Sequence, residues 1–465
     1  MALADNSMVT IMNPIDASKT ETVSLADSQK RGGISSFSMP GVAKAVDRVA
    51  ARYRSLGASG GAVSIARKLV HAKFSAMSRG SLVIHEGAYA IQFGNPDIAG
   101  DEPNAHIYVV NDRVYRRIAL NGVIGAAEAF MDGDWETPDL VTVVRFMVYN
   151  LAELERVNQE RSMLNRLALS LTEFLTRNSV ARSKENIAAH YDLGNDFFEL
   201  FLDPTMMYSS ALFSDERMSL EQASIAKLDA LCQKLSLKQS DHLVEIGTGW
   251  GGMAVYAAEQ YGCRVTTTTI SEEQYRHTLE LVNKKGLQNQ VTVLKKDYRL
   301  LEGKFDKLVS IEMIEAVGHQ YFGEYFSKCS NLLKPDGVMA IQAITITDQR
   351  YERAKNSMDF IKRYIFPGGC LPSVNCIANH VSADTDMIIS DMSDMALDYA
   401  ETLKRWREAF FSNIDQVRAL GFDERFIRMW EYYLCYCEGG FRERVIGTTQ
   451  MVMTKPDYRP AGMDR

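Results

Sequence analysis

A short glycine-rich segment, Val244-Glu-Ile-Gly-Thr-Gly-Trp-Gly-Gly, lies between an apolar run and a helical run. Gly247 and Gly249 permit a tight turn that a ligand can approach closely, and Gly252 opens the next helix. This spacing alone fits a dinucleotide equally well. Glu245 adds a carboxylate at the strand end, which suits a ligand carrying an amine and a positive sulfonium better than a pyrophosphate.

The ends of the next two strands separate these alternatives. The second strand ends in Thr269-Ile-Ser271 without an acid, whereas a nicotinamide dinucleotide fold usually has Asp or Glu there for the ribose. After the third strand, Asp297-Tyr-Arg299 offers a carboxylate and a ring beside an adenine. The sequence therefore favours S-adenosylmethionine as cofactor, and methyl transfer as the reaction.

These motifs require a sheet whose strands end at one edge. From about residue 184, strand-like runs alternate with helical runs, which predicts an α/β fold with a Rossmann-like parallel sheet of the class I methyltransferase type and helices on both faces. Its ligand binds at the carboxyl ends of the strands. The strands are predicted at 242–246, 264–268, 291–294, 307–311 and 337–342.

The amino-terminal third has a different pattern. Short apolar runs broken by Gly, Asn, Asp and Pro in residues 81–117 predict strands of a small α+β domain. The predicted divisions are a disordered tail and basic segment (1–60), the α+β domain (61–150), a helical linker (151–183), the methyltransferase domain (184–453) and a tail (454–465).

Composition and charge argue against several classes of protein. The formal net charge of -7 argues against nucleic acid as a partner. No apolar run is long enough for a membrane span, and the first 33 residues do not fit a secretory signal. The seven cysteines include no Cys-x-x-Cys pair, so neither a metal site nor a disulfide framework is indicated. We expect a cytoplasmic protein.

One segment is basic in this acidic chain. Between Lys44 and Arg79, eight basic residues face the single acid Asp47, and apolar residues are interleaved at roughly helical spacing. Such a segment favours contact with an anionic membrane surface. A solvated helix face is the alternative.

The chain resembles the cyclopropane fatty acid synthases, which include the mycolic acid cyclopropane synthases. The resemblance covers 184–453 strongly and 61–150 more weakly. Its motifs are spread along residues 189–198, 207–213, 245–252, 269–274, 312–319, 364–373 and 432–442.

The resemblance implies transfer of the methyl carbon of S-adenosylmethionine to the double bond of an unsaturated phospholipid acyl chain. A cyclopropane ring forms and S-adenosylhomocysteine is the other product. It also implies a lipid-binding amino-terminal domain, a homodimer, and peripheral association with the inner face of the membrane.

Methyl transfer to an alkene leaves a carbocation until a base removes a proton. The resemblance implies that this base is a bicarbonate ion, which we expect to be safer than a lone protein carboxylate that could collapse onto the cation as an ester. The implied residues are Glu315, Tyr399, Ile344 through its backbone, Ser210 where the family usually has Cys, and Gln342 where it usually has His. We call these five the anion cluster. Ser and Gln still bind an anion, but Gln342 cannot carry charge.

The resemblance also assigns cofactor contacts and one cysteine. The cofactor residues are Tyr191, Asp192, Glu245, Gly247, Gly249, Gly252, Thr269, Ser271, Gln274, Tyr298 and Arg299. Cys437 matches a cysteine sometimes proposed as nucleophile. A thiolate would be alkylated by a methyl donor, so core packing is the favoured interpretation of Cys437. The aromatic residues Trp406, Phe410, Trp430, Tyr432 and Tyr433 are candidates to line an acyl pocket or to form plain core.

Three alternatives stay open. The enzyme could add a methyl branch to the acyl chain without ring closure, or it could be a small-molecule N-methyltransferase. Gln342 weakens the second alternative, because those enzymes pair Glu with His. A lipid-binding module with a vestigial cofactor loop would predict damaged glycines or loss of Glu315, and the sequence has neither.

Overall fold

The computed structural model describes residues 61–95, 97, 100–155 and 193–459. The chain divides into two compact units, Met1–Leu171 and Thr172–Arg465. The predicted tail at 1–60, most of the predicted linker, and the two predicted cofactor residues Tyr191 and Asp192 lie outside the described residues. The predicted domain limits stay predictions.

The first unit contains a four-stranded sheet in the order β2-β1-β3-β4. Strands β1 and β2 form an antiparallel hairpin, and β3 runs parallel to β1. Gly87, with φ of 59°, lies in the two-residue hairpin turn, where a left-handed backbone favours glycine. The elements are α1 (Gly61–Phe74), β1 (Ser81–Glu86), β2 (Tyr89–Gly94), β3 (Asn104–Val109), α2 (Arg113–Met131), β4 (Trp135–Glu136) and α3 (Leu140–Tyr149).

Helix α1 carries most of the described part of the basic segment, namely Arg67, Lys68 and Lys73. Val70 and Phe74, one turn apart, are buried in the core of the unit, whereas Leu69 is exposed. Arg67 forms an ion pair with Glu86 at 3.1 Å, so this basic residue has a structural partner. Lys68 is exposed.

The second unit is built on a seven-stranded sheet in the order β10-β11-β9-β8-β5-β6-β7. The five strands from β9 to β7 are parallel, and β11 pairs antiparallel with β9. This confirms the predicted α/β class; β10 and β11 were not predicted. The strands are β5 (His242–Ile246), β6 (Arg264–Thr269), β7 (Val291–Lys295), β8 (Phe305–Ile311), β9 (Leu333–Ile346), β10 (Ile388–Asp394) and β11 (Ile446–Thr454).

Helices cover both faces of this sheet. Leu243 packs into one core with the helices around 220–284, and its neighbour Val244 packs into another with the helices around 322–384. Successive strand residues point to opposite faces, so both must be apolar. The helices are α4 (Asn195–Phe198), α5 (Leu220–Lys234), α6 (Gly252–Tyr261), α7 (Glu272–Lys284), α8 (Phe322–Leu332), α9 (Asp348–Lys355), α10 (Val374–Asp384), α11 (Ala396–Ser412), α12 (Ile414–Ala419) and α13 (Glu424–Arg442). A π-helical turn lies at Ile361–Ile365.

Candidate active site

The glycine-rich loop joins β5 to α6 at the carboxyl edge of the sheet. The backbone N–H groups of Gly247 and Thr248 donate to the carbonyl oxygen of Thr268, which fixes the start of the loop. Gly249 has a φ of 52°, and a Cβ atom placed on it would meet nothing within 4 Å. The loop therefore presents its backbone to open space at Gly249, where a ligand can approach closely.

Gly252 allows close packing at the start of α6. A Cβ atom there would lie 2.2 Å from Cε of Met207 and 3.1 Å from the carbonyl oxygen of Thr205. The absent side chain lets the first turn of α6 approach the segment around Met207. The Gly-x-Gly-x-x-Gly spacing thus combines one open position with one close contact.

Glu245 is a buried acid beneath the loop, with 2% of its surface exposed. It accepts a hydrogen bond from Oγ1 of Thr267 at 2.6 Å. Burial raises the pKa of Glu245 to about 8, and a bound cation would favour the charged form again. The neighbouring Thr248 hydroxyl is buried without a hydrogen-bond partner in the protein. A ligand with an amine and further polar groups would satisfy both, so these residues fit S-adenosylmethionine.

The other described cofactor candidates lie at the ends of β6 and β7. Thr269 donates from Oγ1 to Gln274 at 2.8 Å, and the Ser271 hydroxyl caps α7 by accepting from the Gln274 backbone N–H. Arg299 forms an ion pair with Asp297 at 2.6 Å. The ring of Tyr298 lies against Tyr325, with centroids 5.6 Å apart. The fold brings these residues to the same sheet edge, and their roles as cofactor contacts stay predictions.

The anion cluster converges on a residue to which the sequence analysis gave no role, Glu312. Its carboxylate accepts hydrogen bonds from the Ser210 backbone N–H at 2.9 Å and from Nε2 of Gln342 at 2.8 Å. The Tyr399 hydroxyl donates to its other oxygen at 2.9 Å. An acid placed directly after β8, at the edge where ligands bind, was the signal that could have identified Glu312.

Gln342 is locked in one orientation. Its Oε1 accepts from Nε2 of Gln450 at 3.1 Å, so its own amide donor faces Glu312 and the carbonyl oxygen of Ser210. Gln450 lies on the unpredicted strand β11, directly opposite Gln342 in the antiparallel register. A buried amide at position 342 therefore fits this site without a charge.

Glu315 forms a separate contact with the fifth member of the cluster. Its Oε1 accepts from the backbone N–H of Ile344 at 2.5 Å, and its Oε2 is buried without a partner. Burial, together with the negative charge of Glu312, raises the pKa of Glu315 to about 8. Burial raises the pKa of Glu312 as well, but its three hydrogen bonds and the charge of Lys227 oppose that rise. Glu315 accepts one hydrogen bond and is the neutral member of the pair at pH 7.

Lys227 supplies a positive charge that sequence reasoning missed. This lysine is fully buried on α5 and donates from Nζ to Oγ of Ser209 at 2.7 Å. Burial lowers its pKa to about 8, while the charges of Glu312, Asp203 and Glu245 act in the opposite direction. A buried ammonium of this kind offsets part of the negative charge of the site.

Aromatic rings pack against Tyr399 of the anion cluster. Tyr399 stacks on Phe441 with ring centroids 4.5 Å apart. The Tyr208 hydroxyl donates to that of Tyr433 at 3.0 Å, and the Tyr208 ring lies 5.2 Å from that of Trp406. All five aromatic candidates from the sequence are buried. Ring faces in this setting can stabilise a cation.

Cys437 lies on α13 in this environment. Burial raises the pKa of its thiol, which keeps the sulfur protonated at neutral pH. A reactive cysteine needs the thiolate. The structure thus favours a packing role for Cys437 over a nucleophilic one.

A family model described as mycolic acid cyclopropane synthetase matches residues 178–451. Tuberculostearic acid methyltransferase UfaA1 of Mycobacterium tuberculosis is 37% identical over 351 residues, 74% of this chain and 82% of the relative. Cyclopropane-fatty-acyl-phospholipid synthase of Escherichia coli K12 is 36% identical over 362 residues, 77% of this chain and 90% of the relative.

A solved structure is similar to more than half of this chain. Mycolic acid cyclopropane synthase CmaA1, crystallised with S-adenosylhomocysteine and CTAB, aligns with a TM-score of 0.54 and 34% sequence identity. The alignment covers 58% of this chain and 98% of CmaA1. This similarity confirms the predicted class I methyltransferase sheet.

The open space at Gly249 generates a first prediction. Gly249→Asp should weaken S-adenosylmethionine binding by about tenfold or more, at least about 1.4 kcal/mol, because it adds bulk and charge where the loop backbone faces a ligand. Asp tolerates a left-handed backbone, so the fold should persist. Gly286→Asp is the matched control, since Gly286 also has a positive φ and open space but follows α7 at the opposite edge. Calorimetry showing equal binding by both variants would exclude Gly249 from the cofactor site.

The neutral state of Glu315 generates a second prediction. Its raised pKa means that the folded protein keeps a proton that the unfolded chain releases, so the stability of the wild type falls as the pH rises from about 4.5 towards 8. Glu315→Gln removes this proton linkage. The margin by which the free energy of unfolding of the variant exceeds that of the wild type, measured by urea denaturation, should therefore grow over this window by up to about 1.4 kcal/mol per pH unit. A margin that does not change with pH would show that Glu315 is ionised in the folded protein.

Proposed function

Because this chain belongs to the mycolic acid cyclopropane synthetase family, we propose that it transfers the methyl carbon of S-adenosylmethionine to the double bond of an unsaturated phospholipid acyl chain. The products are a cyclopropane ring and S-adenosylhomocysteine. The observation that carries the proposal is the placement of the glycine-rich loop, two carboxyl groups and a set of aromatic rings at one edge of the sheet. The chain is an S-adenosylmethionine-dependent methyltransferase by family and fold.

The cofactor is assigned to the glycine-rich loop and Glu245. When bound, S-adenosylmethionine supplies an electrophilic methyl group on a positively charged sulfur. The Glu245 carboxylate would bind its amine, the Thr248 hydroxyl would gain a partner, and the backbone at Gly249 would lie against the ligand.

The remaining site residues suit a reaction through a carbocation. The rings of Tyr208, Tyr399 and Tyr433 lie near the anion cluster, where a ring face would stabilise positive charge on the acyl chain. Their burial excludes water, which would otherwise trap the cation. Cys437 stays protonated and is therefore a poor trap.

Two relatives carry names that point to different products on an acyl chain. The Escherichia coli relative is named for phospholipid acyl chains, and UfaA1 is named a methyltransferase of tuberculostearic acid. Methyl branching is therefore the second candidate, with the same first step and no ring closure. An N-methyltransferase is less favoured, because Gln342 is locked by Gln450 and cannot take a proton from an amine.

Contact with the membrane is proposed for α1 in the first unit. Ile65 is 64% exposed and Leu69 is 45% exposed, one turn apart, with exposed Lys68 between them. Exposed apolar residues beside a free ammonium suit the surface of an anionic bilayer. Among the described helices, none is long and apolar enough to span a membrane. Peripheral association with the inner face, a cytoplasmic location and a homodimer stay predictions.

A lipid assay tests the reaction. Vesicles of unsaturated phospholipid incubated with the full chain and S-adenosylmethionine should gain the mass of one CH2 group per modified acyl chain, and proton NMR of the lipid should show the upfield signals of cyclopropane hydrogens. Gly249→Asp provides the inactive control. Mass gain without cyclopropane signals would establish methyl branching instead, and no mass gain would refute the proposed substrate.

A second experiment tests the membrane surface. Lys68→Glu combined with Leu69→Ser should weaken sedimentation with anionic vesicles by about tenfold at low ionic strength, since each basic residue near such a surface contributes about 1 kcal/mol. The difference should shrink as salt screens the surface. Lys284→Glu, which alters an exposed lysine of the second unit, is the control. If the double variant sediments like this control, the exposed side of α1 is a solvated helix face that does not contact the membrane.

A further inference from the structure

The donors predicted to hold a bicarbonate ion already hold a carboxylate of the chain itself. Ser210, Gln342 and Tyr399 contribute three donors, and each lies 2.8–2.9 Å from an oxygen of Glu312. Gln342 cannot turn towards another anion, because Gln450 fixes its amide. An additional anion would also meet the negative charge of Glu312 at close range. The residues present therefore do not fit a bicarbonate ion at these donors.

The backbone of Glu312 supports a functional role. Glu312 has a φ of 49°, in the left-handed region that favours glycine and costs other residues energy. Its N–H donates to the carbonyl oxygen of Gln342 at 2.7 Å, which anchors this conformation at the end of β8. Strain of this kind is retained mainly where the side chain it positions has a use.

The surroundings of Glu312 suit a base. Burial raises the pKa of Glu312, and the hydrogen bonds from Gln342, Ser210 and Tyr399 and the charge of Lys227 offset only part of that rise. Glu312 also keeps part of its surface accessible, unlike the fully buried Gln342. The ionised form of such a carboxylate, beside aromatic rings, can accept a proton from a bound substrate.

We propose that the Glu312 carboxylate is the base that removes the ring-closing proton, in place of a bicarbonate ion. This inference rests on the proposed function. After methyl transfer, a carbocation remains on the neighbouring chain carbon. A C–H bond of the new methyl group breaks, its electron pair forms the carbon–carbon bond that closes the ring, and the proton passes to an oxygen of Glu312. The acid formed loses that proton to water after product release.

The same contacts keep the Glu312 carboxylate from collapsing onto the cation as an ester. Both oxygens of Glu312 accept hydrogen bonds, which reduces their nucleophilicity. The left-handed backbone and its hydrogen bond to Gln342 hold the carboxylate in place. Glu312 can therefore accept a proton from the new methyl group without moving close enough to the cation to form an ester.

Two variants at position 312 test the proposal in the full chain. Glu312→Gln keeps the shape and removes the base, and Glu312→Gly removes the side chain, relieves the strained φ and leaves the three donors to a free anion. Glu302→Gln changes an exposed acid and is the control. Turnover on vesicles of unsaturated phospholipid is measured in degassed buffer and after bicarbonate is added. Calorimetry with S-adenosylmethionine reports whether each variant is folded and binds its cofactor.

The wild type and Glu302→Gln should turn over equally with and without bicarbonate. Glu312→Gln should lose about 10²–10⁴-fold in turnover, the usual contribution of a general base, with cofactor affinity unchanged and no response to bicarbonate. Glu312→Gly should show the same loss in degassed buffer and recover in part with bicarbonate. Carbon NMR of ¹³C-labelled bicarbonate should show line broadening with Glu312→Gly and none with the wild type.

Two results would overturn the proposal. Near wild-type turnover by Glu312→Gln would make Glu312 a structural acid, and a wild type that loses turnover in degassed buffer and regains it with bicarbonate would restore the ion as base. Failure of the proposed function has a different signature, namely a wild type that binds S-adenosylmethionine but never modifies the lipid in either buffer.

Discussion

The burial of charge at the carboxyl edge of the sheet is the constraint on which the rest of the second unit depends. Glu245, Glu312, Glu315 and Lys227 lie in a region that also contains many aromatic rings, where an unpaired charge is costly. Each therefore needs either a partner or a neutral state. Glu312 has three donors, Lys227 has a hydroxyl, and Glu315 keeps its proton.

The partners of these buried groups come from chain segments that are far apart in the sequence. Helix α11 brings Tyr399 to Glu312, and the same helix binds the segment after Ser210: the Ala211 N–H donates to Thr402, and the Phe213 N–H donates to Asp398. Strand β11 brings Gln450 to Gln342. These additions to the five parallel strands complete the site, because they supply Tyr399 and the Gln450 that orients Gln342 of β9.

The fold and the position of the glycine-rich loop were predictable from the sequence, because hydrophobic alternation and the glycine spacing are local signals. The strands β10 and β11 were not predicted, since β11 contains buried Thr448, Thr449 and Gln450, whose polar side chains resemble an exposed segment until their partners are known. Glu312 and Lys227 were missed for the same reason. The position of Glu312 directly after β8 marks it as a possible site residue, but its role depends on partners that lie up to 102 residues away.

The left-handed backbone at position 312 also has an evolutionary consequence. Glycine adopts this conformation at no steric cost, and a Glu codon becomes a Gly codon by a single base change. A lineage with this fold can therefore exchange a built-in carboxylate for an empty, donor-lined space in one mutational step, with the backbone relaxed by the change. A single codon would then determine whether the enzyme depends on a dissolved anion, without any change in the rest of the core.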